Sequence, residues 1–140
     1  MTRFIALLMA MMILCPCFAV VSHAEDSAPY ASAFFTSYGT TLSKEGNGRI
    51  KIIFSATGTN ICNKIGVASY TVERLDDYGN WVNVSGLLNG STGTNLNTYT
   101  FSRYFNGVRG ETYRVQVVFT CIINNDGETQ NYTSGMITAK

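Results

Sequence analysis

Apolar and polar residues alternate with a period of two along most of the chain. No stretch beyond residue 24 carries a capped apolar stripe at helical spacing. "RIKIIFSA" (49–56) sends Ile50, Ile52, Phe54 and Ala56 to one face, with Arg49, Lys51 and Ser55 on the other. "ASYTVERL" (68–75) groups Ala68, Tyr70 and Val72, and points Thr71 and Glu73 outward. "WVNVSG" (81–86) follows the turn signal "DDYGN", and "TYTFSRYF" (98–105) aligns Tyr99 with Phe101. The clearest case is "TYRVQVVFTCII" (112–123), which places Tyr113, Val115, Val117, Phe119 and Cys121 together, against Arg114, Gln116 and Thr120. A hairpin turn on Asp126-Gly127 is expected to lead to a last strand, "TSGMITA" (133–139). "SAFFTSYGTTLS" (32–43) is less regular and predicts one or two short strands. In "SGLLNGSTGTNLN" (85–97), the most flexible-looking connection, Leu87-Leu88 are expected to tack the loop onto the core. About seven short strands, each apolar on one side, predict an all-β antiparallel sandwich or barrel solvated on its outer faces.

The N-terminus changes the picture of where this fold resides. Arg3 precedes an apolar run from Phe4 to Leu14, and Ser22 and Ala24 occupy the −3 and −1 positions before Glu25. That pattern predicts a secretory signal peptide over 1–24 and a single domain over 25–140. A retained membrane helix is the competing reading, but Pro16 interrupts the run and no basic stop-transfer cluster follows. Lipid anchoring at Cys17 is a second, disfavoured because Pro16 stands where lipoprotein processing needs a small residue. No membrane span is then expected in the mature chain.

Charge and composition exclude several function classes. Ten Lys and Arg, less Arg3, balance nine Asp and Glu, and no basic stripe exists to neutralise phosphates. A nucleic-acid partner is therefore not expected. The only histidine, His23, falls within the signal peptide. Its loss removes hydrolase triads and most transition-metal sites, so neither catalytic residues nor cofactors nor metals are expected. The carboxylate pairs Asp76/Asp77 and Asp126/Glu128 sit in turn sequences, where their role is turn geometry, and neither has the spacing of a calcium loop. The chain reads as non-enzymatic.

"VRGETYRVQV" is similar to the corner and penultimate strand of fibronectin type III-like domains, and "YTVERLDDYGNWVNV" looks like their middle strand pair. The resemblance implies an immunoglobulin-like sandwich in which Tyr113 is a tyrosine corner, its hydroxyl bonded back to the corner's backbone. The chain departs from the family at Phe54, where a Trp is usual, and in lacking the corner's Leu and Pro. Over the mature region it also resembles small secreted proteins of Gram-positive bacteria that carry one strand-rich domain.

Cys15 and Cys17 leave with the signal peptide, so Cys62 and Cys121 form an even pair in an oxidising compartment. In an immunoglobulin-like sandwich both fall at the same end, which implies a structural disulfide. A nucleophile is the alternative, but no base remains to generate its thiolate.

The remaining function is binding. The first expectation is an interaction module for a protein or cell-surface partner. A carbohydrate-binding module with Tyr78 and Trp81 as platform is the alternative, and a secreted toxin or inhibitor a third. Core or edge packing competes for Trp81, and equally for the aromatics Tyr30, Phe34, Phe35 and Tyr38. Sequons at Asn83, Asn89 and Asn131 are read as chance occurrences in a chain rich in Asn, Ser and Thr.

Overall fold

The computed structural model describes residues 32–140. The signal peptide expected over 1–24, and Tyr30, lie outside the described residues. Within them the chain is all-β, built from β1 (Phe35–Gly46), β2 (Arg49–Cys62), β3 (Lys64–Leu75), β4 (Trp81–Asn83), β5 (Leu88–Asn89), β6 (Thr92–Gly93), β7 (Leu96–Asn106), β8 (Thr112–Ile123), β9 (Asp126–Thr133) and β10 (Ile137–Thr138). All pairings are antiparallel. One sheet has the order β1-β2-β7. In the other, β8 and β3 form the centre, flanked by two interrupted edges. β4, β5 and β6 lie end to end along β3, and β9 and β10 lie end to end along β8. The result is a β-sandwich.

Its core is the inward half of each alternation. Phe54 and Phe119 have no exposed surface, and Ile50, Ile52, Val72, Val115 and Val117 are almost as deeply enclosed. Each such side chain contributes roughly 1.5–3 kcal/mol by leaving water. Phe54 stacks on Phe101 at 4.8 Å and packs against Tyr70 at 4.9 Å, joining the two sheets through aromatic faces.

Several boundaries differ from the sequence expectation, each for a local reason. The segment 32–43 is not one or two short strands but most of a single 12-residue strand, β1, ending in a two-residue turn. Asn47 and Gly48 both have positive φ, at 52° and 78°, as a type I′ hairpin requires. β2 does not stop at Ala56. It continues through an irregularity between Thr57 and Cys62, where its pairing to β7 slips. In β3 a bulge between Val67 and Ser69 breaks the period, so Val67 takes the inward place expected of Ala68, which is exposed. The β8–β9 turn is Asn124-Asn125, at φ 52° and 69°, rather than Asp126-Gly127, which are the first residues of β9. Asparagine reaches the left-handed region that this turn demands, so glycine is not needed there. Of the final strand expected over 133–139, only Ile137 and Thr138 pair as a separate element. Of the two leucines at 87–88, Leu88 packs against the core and Leu87 is 75% exposed.

Candidate functional site

The two ends of the sandwich and the outer face of the second sheet hold the residues singled out by the sequence. At one end, the Tyr113 hydroxyl accepts a hydrogen bond from the backbone N–H of Val108 at 2.7 Å. Its ring meets the edge of Phe105 at 5.4 Å. A Cβ on Gly107 would sit 2.7 Å from the Tyr113 ring, so only glycine leaves room for the tyrosine to reach back. Backbone bonds complete this end: Gly107 N–H to Gly48 O, Gly48 N–H to Lys140 O and Gly110 N–H to Ala139 O.

At the opposite end, Cys62 closes β2 in the first sheet, and Cys121 lies on β8 in the second. Both thiols are fully buried, with Sγ atoms 2.8 Å apart. A disulfide bond is about 2.05 Å long, so the structure holds two thiols in contact and the expected bridge is not formed in it. Cys62 Sγ also donates to Asn60 O at 3.4 Å, and a Cβ on Gly58 would collide with that sulfur. Burial first, and then the neighbouring Cys62 thiol, push the Cys121 thiol up to about 12. The raised pKa of Cys121 and the burial of both sulfurs are the opposite of what an activated, accessible thiol has.

Tyr78 and Trp81 are placed differently from one another. Tyr78 stands on the 76–80 turn, 90% exposed. The turn is organised by the Asp76 carboxylate, which accepts the N–H groups of Asn80 at 2.7 Å and Tyr78 at 2.9 Å. These bonds, led by that from Asn80, hold the Asp76 carboxyl below its usual value. Trp81 lies partly buried on the outer face of the second sheet, beside Leu75, and the Arg114 guanidinium carbon sits 4.3 Å from its ring centroid. Arg114 Nε donates to Glu73 at 2.6 Å, Gln116 Nε2 donates to the same oxygen at 3.3 Å, and Thr133 Oγ1 donates to Gln116 Oε1 at 2.7 Å. One polar band therefore crosses β4, β3, β8 and β9.

Next to this band, Leu87 overhangs a shallow depression of about 130 Å³ lined by Ser69, Thr71, Gln116, Val118 and Asn131. The band and the depression were not foreseen from the chain order, although the outward positions 71, 73, 114 and 116 could be read from the alternation. What was missing was the register that sets Glu73 opposite Arg114. The aromatics of the first strand mostly belong to the interior: Phe35 is buried, Phe34 and Tyr38 pack on the core, and Tyr38 meets Phe119 at 5.4 Å. All three sequon asparagines, Asn83, Asn89 and Asn131, are exposed.

Among the described residues, no three His, Cys, Asp or Glu side chains gather where they could hold a metal ion, and no helix is long and apolar enough to cross a membrane. No family model and no curated protein matches the chain. A solved structure titled "Crystal structure of protein from Archaeoglobus fulgidus" is similar over 76% of this chain and 98% of its own, at 19% identity and a TM-score of 0.39. A likeness of that strength carries no conclusion about fold family or function.

Proposed function

We propose that the chain is a secreted, non-enzymatic, fibronectin type III-like module that binds a protein or cell-surface partner through the outer face of its second sheet. Two features support the family reading: the three-lane and four-lane sheets, and the bond from Val108 to Tyr113 in the manner of a tyrosine corner. The signal-like N-terminus supports secretion, and in that compartment Cys62 and Cys121 are read as the two halves of a bridge.

The observation that carries the binding face is the Trp81–Arg114–Glu73–Gln116 band. Tryptophan and arginine are the side chains that most often dominate protein interfaces, and here each is held in one orientation by its neighbours. Exposed Leu87 adds apolar surface beside the band. The test is capture of partners from intact cells and from cell-wall fractions on immobilised protein, comparing wild type with Arg114→Glu and Leu87→Asp. Retention by wild type and loss in both variants is the expected result. Equal capture by all three would place the partner elsewhere.

A glycan-binding reading draws on Tyr78, whose ring is almost wholly exposed. It is the weaker reading, because Arg114 occupies a face of Trp81 that a sugar ring would need for stacking. A glycan array with wild type and Tyr78→Ala decides it, and no retained sugar on wild type rejects it.

A further inference from the structure

The chain entering β1 passes directly over the cysteine pair. The Phe34 carbonyl lies 3.8 Å from Cys121 Sγ and accepts the Thr59 N–H at 2.9 Å. Thr59 Oγ1 donates to the Ala33 carbonyl at 3.1 Å. On the other side the segment is held by one carboxylate, that of Glu128 on β9, which stands in register with Cys121. Glu128 Oε2 accepts from Ser32 Oγ at 2.7 Å and from the Phe34 N–H at 3.3 Å, while its other oxygen accepts from Gln130 Nε2. Ser32 Oγ in turn accepts the Phe35 N–H at 2.8 Å, curling the segment onto the latch. Burial alone would raise the Glu128 pKa, but the bonds from Ser32, Gln130 and Phe34 outweigh it and hold the carboxyl below its usual value. At neutral pH the latch is therefore charged, and its bonds are the stronger, charge-assisted kind.

We propose that the strap Ser32–Phe35, latched on Glu128, gates the Cys62–Cys121 pair, so that the redox state of the folded protein changes only when the strap lifts. The inference rests on reading the two thiols as a pair able to form a bridge. With the strap in place both sulfurs have no exposed surface, and an external disulfide cannot approach in line with either. The strap is the cheapest element to move, because Ser32, Ala33 and Phe34 precede the β1 ladder and are held by a few hydrogen bonds, with Phe35 as their buried anchor, whereas β2 and β8 are central strands.

Once it lifts, one cysteine loses its proton and attacks a small-molecule disulfide such as oxidised glutathione. A mixed disulfide forms and one glutathione thiolate leaves. The second cysteine then attacks the mixed disulfide, closes the Cys62–Cys121 bond and expels the other glutathione thiolate. The protein gives up two electrons and two protons, and the oxidant becomes two thiols. Reduction runs the same steps in reverse through the same opening.

The test uses fully reduced protein in wild-type form and as Ser32→Ala, Glu128→Ala and Val72→Ala. The first two weaken the latch. Val72→Ala creates a cavity in the core, several residues along β3 from the pair, and lowers global stability without touching the strap. Two rates are followed under native conditions: alkylation by N-ethylmaleimide, and bridge closure by oxidised glutathione read as a loss of two hydrogens by mass spectrometry. Both latch variants are expected to react roughly tenfold faster or more, with little change in denaturant midpoint, while Val72→Ala shifts the midpoint and leaves the rates near wild type.

The gate is overturned if the rates in all four proteins follow global stability, with Val72→Ala fastest and the latch variants no faster than wild type. Refolding from denaturant in oxidised glutathione separately tests the bridge. Failure to close there rejects the pairing, and the alkylation rates still report on the strap.

Discussion

The two ends of this sandwich are closed by different kinds of bond. At the tyrosine-corner end the contacts are largely backbone to backbone, arranged around Gly48, Gly107 and Gly110, with the Tyr113 hydroxyl, a Thr112–Thr138 hydroxyl pair and a surface Arg74–Glu111 ion pair beside them. At the cysteine end the contacts come from side chains: two thiols, the Glu128 carboxylate, and the hydroxyls of Ser32 and Thr59. Backbone amides neither titrate nor oxidise, so the first end should respond more to mutation than to conditions. Thiols oxidise, and both thiols and carboxylates titrate, so the second end should respond to redox potential and pH.

The largest effect should come from breaking the cysteine end. Bridged protein compared with the Cys62→Ser/Cys121→Ser variant should differ by about 4 kcal/mol in guanidinium unfolding, as the chain-entropy model gives for a loop of 59 residues. A difference near zero would mean that a bridge at this end adds no stability beyond the packing that the two serines also provide.

The corner end should be nearly as sensitive, but to shape. Gly107→Ala forces a methyl group to 2.7 Å from the Tyr113 ring and should cost about 2–3 kcal/mol, measured by the same unfolding curves. Tyr113→Phe keeps the ring and deletes the acceptor of the Val108 N–H. It should cost about 1–2 kcal/mol, with the fold unchanged by circular dichroism. If the two variants destabilise equally, the hydroxyl rather than the close packing dominates this corner.

The smallest effect sharpens the comparison most. The Cys121 thiol is pushed up to about 12 by burial and by Cys62, so the native dithiol keeps its proton where the unfolded chain loses it. Its stabilising effect is fully present below the ordinary thiol value near 9 and fades as pH rises toward 12. Thermal melts from pH 8 to 10.5 should therefore fall more steeply for the reduced protein than for the bridged one. Burial also raises Tyr70, partly offset by Arg103, but that group is common to both forms and cancels in the difference.

Much of the fold was legible because a half-buried strand writes its geometry into the chain as a period of two. The core residues of β2 and β8 follow directly from it: Ile50, Ile52, Phe54 and Ala56, and Tyr113 through Cys121 in alternation. Ala68 shows where that reading fails. A bulge inserts one residue, flips the phase, and leaves no mark in composition. The β1–β2 turn was readable in principle, since Asn47-Gly48 is a strong hairpin dipeptide. The β8–β9 turn was harder, because Asn124-Asn125 competes with an adjacent Asp-Gly that carries the stronger signal.

By itself, the chain determined an all-β architecture, an alternating core and, over residues 32–140, two cysteines and no histidine. Those properties depend on each residue and its near neighbours. Tertiary structure alone decided that Arg114 lies over Trp81 and bonds Glu73, that Phe34 reaches Cys121, and that Glu128 holds Ser32. Each of those contacts joins positions from 33 to 96 residues apart. They depend on strand register and on how the sheets stack, which local pattern constrains only to one face or the other.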